Sequence, residues 1–344
     1  MADGTTLIDC RWLGYTGVGR VTEYLLRGLA EVDADGPWLL WGPLRVEAFG
    51  IRDAVLVPNR HSPLGRAGQA DALHVPKADR YLFLHTVRPF TPHPNTVLVH
   101  DTIPIRWAPT RAQRMAWRSY LQASVRMAAR VLVYSEATRR RVAEDLGVRE
   151  TIRVHLPSDA ERAKRIHRLR KAVQPDNPPT MLYVGLDRPQ KNLERAIRGF
   201  ARSRFAANGG QFLLVGIGAP SVSRLGALAC KVGATGVRPV ATCTDEELEA
   251  NYARAQFVIQ PSLEEGYGLP VAEALDAGIP VCCSTIDSLF EAAAGRAVTF
   301  DPLDVDDIGD AIDTVAFGGG IFASNPRHSF TTAQFAQELI DSLA

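Results

Sequence analysis

At 344 residues, with 46% apolar and 22% charged side chains, the chain is long for one domain and has the composition of a globular protein able to bury two ordinary cores. It has no run of about 18 or more apolar residues, so a membrane-spanning helix is excluded as its organising feature, and the opening MADGTTLIDC is not read as a signal peptide. The net charge of +1 is unevenly spread, at about +6 for residues 1–158 and about −5 for the rest, without the concentrated basic face and aromatic platforms that nucleic acid would call for.

In chain order, a strand is expected at residues 7–10, then the glycine-bearing GYTGVGR (14–20) and a helix with apolar positions Val21, Leu25, Leu26 and Leu29. Gly17, Gly19 and Arg20 can approach a ligand there, although an ordinary turn fits the same residues. Residues 31–80 alternate short apolar runs with Gly, Pro and Asp and name no chemistry. The D-x-D of Asp33 and Asp35 falls in a loop, where solvated acids are commoner than metal ligands. Strands are expected at 81–84, ending on His85, and at 96–99, ending on His100 and Asp101. Ligands of open α/β sheets sit beyond such carboxyl ends, so His100 lies at a functional edge, while His85 either lines it or is a satisfied loop histidine.

Residues 106–141 hold nine arginines and one acid. As a helix over 110–130, they set Arg111, Arg114, Arg118, Gln122 and Arg126 in one stripe and Trp117, Leu121, Ser124 and Ala128 on another face. That is either a packed helix with a solvated basic side or a surface for anionic lipid headgroups. A strand at 131–134, a helix from Ser135 to near Gly147 and a strand at 152–157 complete this half. A polar, basic segment then runs to Pro179, with PDNPP (175–179) as breaker and a hinge near 157–159. Five cysteines at spacings that match neither a zinc site nor a disulfide framework point to a reduced, cytoplasmic protein.

The second half opens with a strand at 180–184, and GLDRPQKN leads from it into a helix starting at Leu193. Arg188 and Lys191 stand where cations can meet a diphosphate. Residues 212–215 with GIGAP repeat the strand and glycine turn, and 245–255 form a helix with an acidic start. Residues 257–281, FVIQPSLEEGYGLPVAEALDAGIPV, carry the chemistry. They read as a short strand, a turn at 262–269, Pro270 at the first helical position and Gly278 closing the helix. The amides of Tyr267, Gly268, Leu269 and Val271 then lack helical partners and form a site for a phosphate. Glu265 in the loop and Glu273 in the first turn can frame one crevice beside it, as acceptors for sugar hydroxyls. The acids of 301–307 read as helix caps rather than as a second D-x-D metal site.

These residues resemble retaining glycosyltransferases of the GT-B fold, family 4, in its mannosyltransferase-like group. The family's E-x7-E signature is matched by Glu265 to Glu273, with Tyr267 in the place of the aromatic between two glycines, and HDTIPI at 100–105 is similar to the HDLIPL of many members. The resemblance implies an α/β protein of two Rossmann-like domains facing a central cleft. An acceptor-side domain would span 1–158 and a nucleotide-sugar donor domain 159–328, with a helix at 329–344 crossing back and the glycines of 318–320 permitting the bend. It implies catalytic roles for His100, Glu265 and Lys191, and donor contacts from Gly17, Gly19, Arg188, Lys191, Val240, Tyr267, Gly268, Leu269 and Glu273. Val240 and Ala241 mark the base pocket, and Glu291 is structural. Leu186 stands where the family has an arginine, which makes Arg188 the candidate substitute. The implied activity is metal-independent transfer of a hexose or deoxyhexose, mannose-like and from a GDP-sugar, to a glycan or lipid-linked acceptor in bacterial polysaccharide biosynthesis. The nucleotide-sugar is then a substrate and no cofactor is needed. The protein would be cytoplasmic, or peripheral at the inner face of the membrane through its N-terminal domain. A non-catalytic partner that binds donor or glycan and a sugar-nucleotide epimerase are the alternatives.

Overall fold

The computed structural model describes residues 4–14, 16–32, 36–59, 61, 63, 65–71, 75–89, 91, 94–172, 178–318 and 330–343. They divide into two compact units, Met1–Ser158 with Phe330–Ala344, and Asp159–Ser329.

In the first unit, the strands β1 (Thr6–Asp9), β2 (Trp38–Gly42), β3 (Ala54–Pro58), β4 (Arg80–Phe83), β5 (Asn95–Leu98), β6 (Arg130–Val133) and β7 (Ile152–Arg153) form one parallel sheet in the order β3-β2-β1-β4-β5-β6-β7. The order reverses between β1 and β4, so the loops after these strands flank a topological switch point. Among the described residues the strands are connected by the α-helices α1 (Thr16–Glu31), α2 (Arg66–Ala70), α3 (Pro104–Trp107), α4 (Arg111–Arg126) and α5 (Glu136–Leu146). Local chemistry sets their starts. Thr110 and Gln113 form a capping box on α4, and the Ser135 hydroxyl accepts the Thr138 amide at the head of α5. On α4, Leu121, Ser124 and Val125 are buried and Trp117 packs on the same core, whereas Arg111, Arg118 and Arg126 are exposed. The helix is shorter than the expected 110–130.

Two expectations are corrected around the chain crossing. The strand expected at 152–157 stops at Arg153: the Val154 amide still donates to the Val133 carbonyl of β6 (2.9 Å), but His155 then donates to the Glu338 carboxylate (2.7 Å) and Ser158 to the Phe330 carbonyl (3.0 Å). The polar segment expected up to Pro179 contains a helix, α6 (Ala160–Ala172). Of its two large apolar residues Ile166 is buried and Leu169 exposed, and ion pairs such as Arg165 to Glu249 (2.7 Å) hold it in place of an apolar stripe. Gly319, Gly320, Asp33 and Asp35 lie outside the described residues.

The second unit repeats the architecture. Strands β8 (Thr180–Val184), β9 (Gln211–Val215), β10 (Val237–Val240), β11 (Phe257–Gln260), β12 (Val281–Ser284) and β13 (Val298–Phe300) make a parallel sheet in the order β10-β9-β8-β11-β12-β13, which reverses between β8 and β11. Besides α6, its helices are α7 (Leu193–Arg202), α8 (Arg204–Ala207), α9 (Ala219–Lys231), α10 (Asp245–Arg254), α11 (Leu269–Asp276), α12 (Asp287–Ala293) and α13 (Val305–Phe317). Alternate strand residues fill two cores, one per face. Met181, Tyr183, Phe257, Ile259 and Cys282 point one way and Leu182, Val258 and Cys283 the other, as expected of a parallel sheet covered on both sides. The chain ends in α14 (Thr332–Asp341), which packs on α1 in the first unit. Among the described residues no helix is long and apolar enough to cross a membrane.

Candidate active site

The switch point of the second sheet brings Lys191 and Glu265 together. After β8 the chain must turn sharply. Gly185 does so at φ 150, where a Cβ would also lie 2.7 Å from the Tyr183 hydroxyl, and that hydroxyl donates to the Leu186 carbonyl (3.1 Å). Arg224 of α9 pairs with Asp187 (2.7 Å) and with Glu194, which pins the loop from outside. One turn of 3-10 helix (Pro189–Lys191) then hands over to Asn192 in left-handed conformation (φ 59). The buried Asn192 amide donates to the carbonyls of Pro261 (3.0 Å) and Pro302 (2.7 Å), and the Leu263 amide donates to Gln190 (2.7 Å). The loops after β8 and β11 are thus stitched into one surface.

On that surface the Lys191 ammonium sits 2.5 Å from Glu265 Oε1. The same oxygen accepts from Gln260 Nε2 (2.7 Å) and Ser262 Oγ (2.7 Å), and Gln260 also donates to Ser262 (3.0 Å). All three donors converge on Oε1, and among the described residues Oε2 has no hydrogen-bond partner. Burial, reinforced by the negative charges of Glu265 and Asp187, pushes the Tyr183 phenol well above its ordinary value. Arg188 heads the 3-10 turn and is exposed, and among the described residues its guanidinium has no hydrogen bond or ion pair.

Beyond Glu265, Gly268 caps α11 at φ 104, where a Cβ would press to 2.4 Å from Leu289 Cδ2. One expected feature is corrected here. The Val271 amide is not free, because it donates to the Gly268 carbonyl (3.0 Å), leaving the amides of Gly268 and Leu269 without an acceptor among the described residues. Tyr267 is half-buried against the core on that face of the sheet. Glu273, one turn into α11, accepts from the hydroxyl of the buried Tyr252 of α10 (3.2 Å). The Val240 and Ala241 carbonyls accept from Gly216 (3.1 Å) and Gly218 (3.3 Å), and both residues are half-buried. The acids of the D-x-D after β13 act as caps: Asp304 accepts the amides of Asp306 and Asp307.

In the first unit, Gly17 and Gly19 lie inside the first turn of α1 rather than in a preceding loop. A Cβ on Gly19 would come within 2.8 Å of Gly14 N and Trp12 O, so this turn packs directly on the backbone after β1. Gly17 is exposed, and Arg20 pairs with Glu23 (3.0 Å). His100 is buried after β5 with Nε2 2.5 Å from the Leu84 carbonyl and Nδ1 3.1 Å from the Tyr134 hydroxyl. His85 accepts the Val87 amide at Nδ1 (2.8 Å), and its ring lies 4.0 Å from that of Trp12 and 5.5 Å from that of His100.

Burial holds His100 down from an ordinary 6.5 to about 4, against the raising effect of the Leu84 carbonyl, and burial together with His100 holds His85 well below its ordinary value. Both are neutral when folded, whereas the unfolded chain takes up their protons below about pH 6.5. Stability of the first unit is therefore full above that pH and is lost as pH falls towards 4, by on the order of 3 kcal/mol for His100 alone. Urea unfolding at pH 7 and pH 4.5 tests this. His100→Gln should flatten the pH dependence, and an unchanged slope would refute the assignment.

Gln260, Ser262, Asn192 and Tyr252 are site residues that sequence reasoning missed. Gln260 carried the one usable signal, a polar residue closing the otherwise apolar FVIQ strand.

Residues 164–317 match the family model for glycosyl transferases group 1. The O-antigen chain mannosyltransferase B of Escherichia coli is 42% identical over 72 residues, 21% of this chain and 19% of that protein. The O-antigen chain mannosyltransferase RfbU of Salmonella typhimurium is 26% identical over 215 residues, 61% of this chain and 57% of its own length. Both matches thus span less than two thirds of the relative. Among solved structures, Anabaena HepE in complex with UDP-glucose superposes with a TM-score of 0.76 at 16% identity, covering 99% of each chain. Residues 164–317, which carry Lys191, Glu265 and Glu273, thus match the glycosyl transferases group 1 model, in a chain whose two Rossmann-like units have the fold of GT-B structures.

Proposed function

We propose that the chain is a retaining glycosyltransferase that moves a mannose-like hexose or deoxyhexose from a nucleotide-diphospho-sugar, GDP-linked by preference, to a glycan or lipid-linked acceptor of bacterial polysaccharide synthesis. The observation that carries this reading is the meeting of Lys191 and Glu265 at a sheet switch point, with the head of α11 and Glu273 alongside. As the bond to the anomeric carbon breaks, negative charge grows on the leaving diphosphate. Lys191, Arg188 and the amides of Gly268 and Leu269 oppose that charge, so they stabilise the transition state more than the ground state. Glu265 Oε2 accepts hydrogen bonds from sugar hydroxyls, and Glu273, held by Tyr252, accepts those of the ribose. No side chain is cast as a covalent nucleophile. The acceptor attacks from the face the diphosphate leaves, its proton passing to a diphosphate oxygen, and configuration is retained. Gly17, Gly19 and the neutral His100 serve the sugar and acceptor side, and the exposed arginines of α4 make an anionic membrane surface the setting.

A thermal-shift screen against GDP, UDP, dTDP, ADP and their sugar conjugates, with and without EDTA, tests donor binding, because a ligand of the native state raises the midpoint. The expected result is a shift with GDP and GDP-mannose that EDTA leaves unchanged. A shift with UDP-glucose alone would move the donor to the UDP series, which HepE's bound ligand favours. No shift with any nucleotide would remove the transferase and leave a partner that binds glycan. The anomeric configuration of the product, read by NMR, decides retention. Tyr252→Phe removes only one hydroxyl from Glu273, and it should raise the donor KM by roughly 3- to 10-fold with little change in kcat. An unchanged donor KM would detach Glu273 from ribose binding.

A further inference from the structure

We propose that Gln260 is a positioning residue that keeps the Glu265 carboxylate in place once Lys191 turns to the donor's diphosphate; this rests on the function proposed above. Lys191 is paired with Glu265. A diphosphate is the stronger competitor for an ammonium, and the Lys191 side chain is long and partly exposed, so it can swing to the phosphate. Glu265 would then lose its cation at the moment it must hold sugar hydroxyls.

Gln260 and Ser262 prevent that. Both are fully buried, Gln260 as the last residue of β11 and Ser262 two residues beyond it. Gln260 Nε2 spans Ser262 Oγ (3.0 Å) and Glu265 Oε1 (2.7 Å). Because the serine oxygen accepts from Gln260, its own proton is directed at Glu265 Oε1 (2.7 Å). The triangle therefore delivers two neutral donors to one carboxylate oxygen, independently of Lys191, and keeps Oε2 facing the ligand.

Stability alone does not account for a glutamine here. Its Oε1 is buried and has no hydrogen-bond partner among the described residues. An orphaned amide oxygen in a core is destabilising, and an apolar residue of the same length would spare it. The side chain is explained by what its amide donates to.

The test compares wild type, Gln260→Met, which keeps length and flexibility but has no donor, and Ser262→Ala, which removes the relayed donor only. Calorimetry with GDP and UDP, thermal unfolding, and steady-state kinetics with GDP-mannose and UDP-glucose are the measurements. Gln260→Met should keep or raise the unfolding midpoint and bind the nucleoside diphosphate within about twofold of wild type, since Lys191 is intact. Its kcat/KM for the sugar nucleotide should fall roughly 10- to 100-fold, with a smaller fall for Ser262→Ala. In a Glu265→Gln background the Gln260 substitution should add little, as the two act through one contact. Wild-type kcat/KM in Gln260→Met overturns the proposal. So does a loss matched by equal losses of nucleoside diphosphate affinity and unfolding midpoint, which would mark a structural role. If wild type itself neither binds nor turns over a sugar nucleotide, the functional reading fails and takes this inference with it; turnover in wild type with an unaffected Gln260→Met sinks this inference alone.

Discussion

Glu265→Gln should lower kcat/KM for the sugar nucleotide by about 100- to 1,000-fold while leaving nucleoside diphosphate affinity unchanged or improved. The two halves of that expectation come from one contact. Glu265 neutralises Lys191 across 2.5 Å, so an amide at position 265 frees the ammonium for phosphate, and at the same time the sugar loses its charged acceptor. Gln260 and Ser262 can still donate to the amide oxygen, and the side chains at 191 and 265 retain 19% and 10% exposure, so no charge is stranded in the core and the fold should persist. Lys191→Met should do the opposite to binding. Glu265 keeps its two neutral donors, but the diphosphate loses its cation, and nucleoside diphosphate affinity should fall together with kcat. Calorimetry with GDP and UDP on both variants separates the roles. If Glu265→Gln weakens the nucleoside diphosphate as much as Lys191→Met does, the division of labour between phosphate and sugar is wrong.

The contrast between these two residues also marks what a sequence can tell. Glu265, Gly268 and Pro270 lie within six positions, and strand, turn and helix start follow from local rules: an apolar run, a glycine at positive φ and a proline that suits the first helical turn. The Lys191 pairing is of another kind. It depends on β8 lying beside β11, strands that are far apart in sequence, and on Asn192 reaching the carbonyls of Pro261 and Pro302. Periodicity carries no information about such closures. The same holds for α6: a strand or an amphipathic helix announces itself by apolar spacing, but Ala160–Ala172 is held by charge pairs to α10, and a run of Arg and Lys reads as linker until its partners are known. His100 is legible as a strand-end residue, yet its burial and its bonds to Leu84 and Tyr134 come from neighbouring strands.

Gly28→Ala, one methyl group added far in sequence from the site, should destabilise the first unit by about 2–4 kcal/mol. On α1 an added Cβ would stand 2.0 Å from the Thr332 carbonyl oxygen and 2.8 Å from the Ala336 Cβ, both on α14. The nearest atom is backbone, so no side-chain rotation relieves the overlap and the two helices must separate. Separation unseats Phe335, Ala336, Leu339 and Ile340, all buried at 8% exposure or less, and strains the link from Arg130 to the Ser342 carbonyl (2.6 Å). Gly226→Ala is the matched control. It lies inside α9 with nothing within 4 Å of an added Cβ, so there the same change should stabilise, by up to about 1 kcal/mol. Because the second unit folds around its own two cores, Gly28→Ala should leave nucleoside diphosphate binding intact while an early transition appears in thermal unfolding. A single unshifted transition in Gly28→Ala would show that α14 does not stabilise the first unit through this contact.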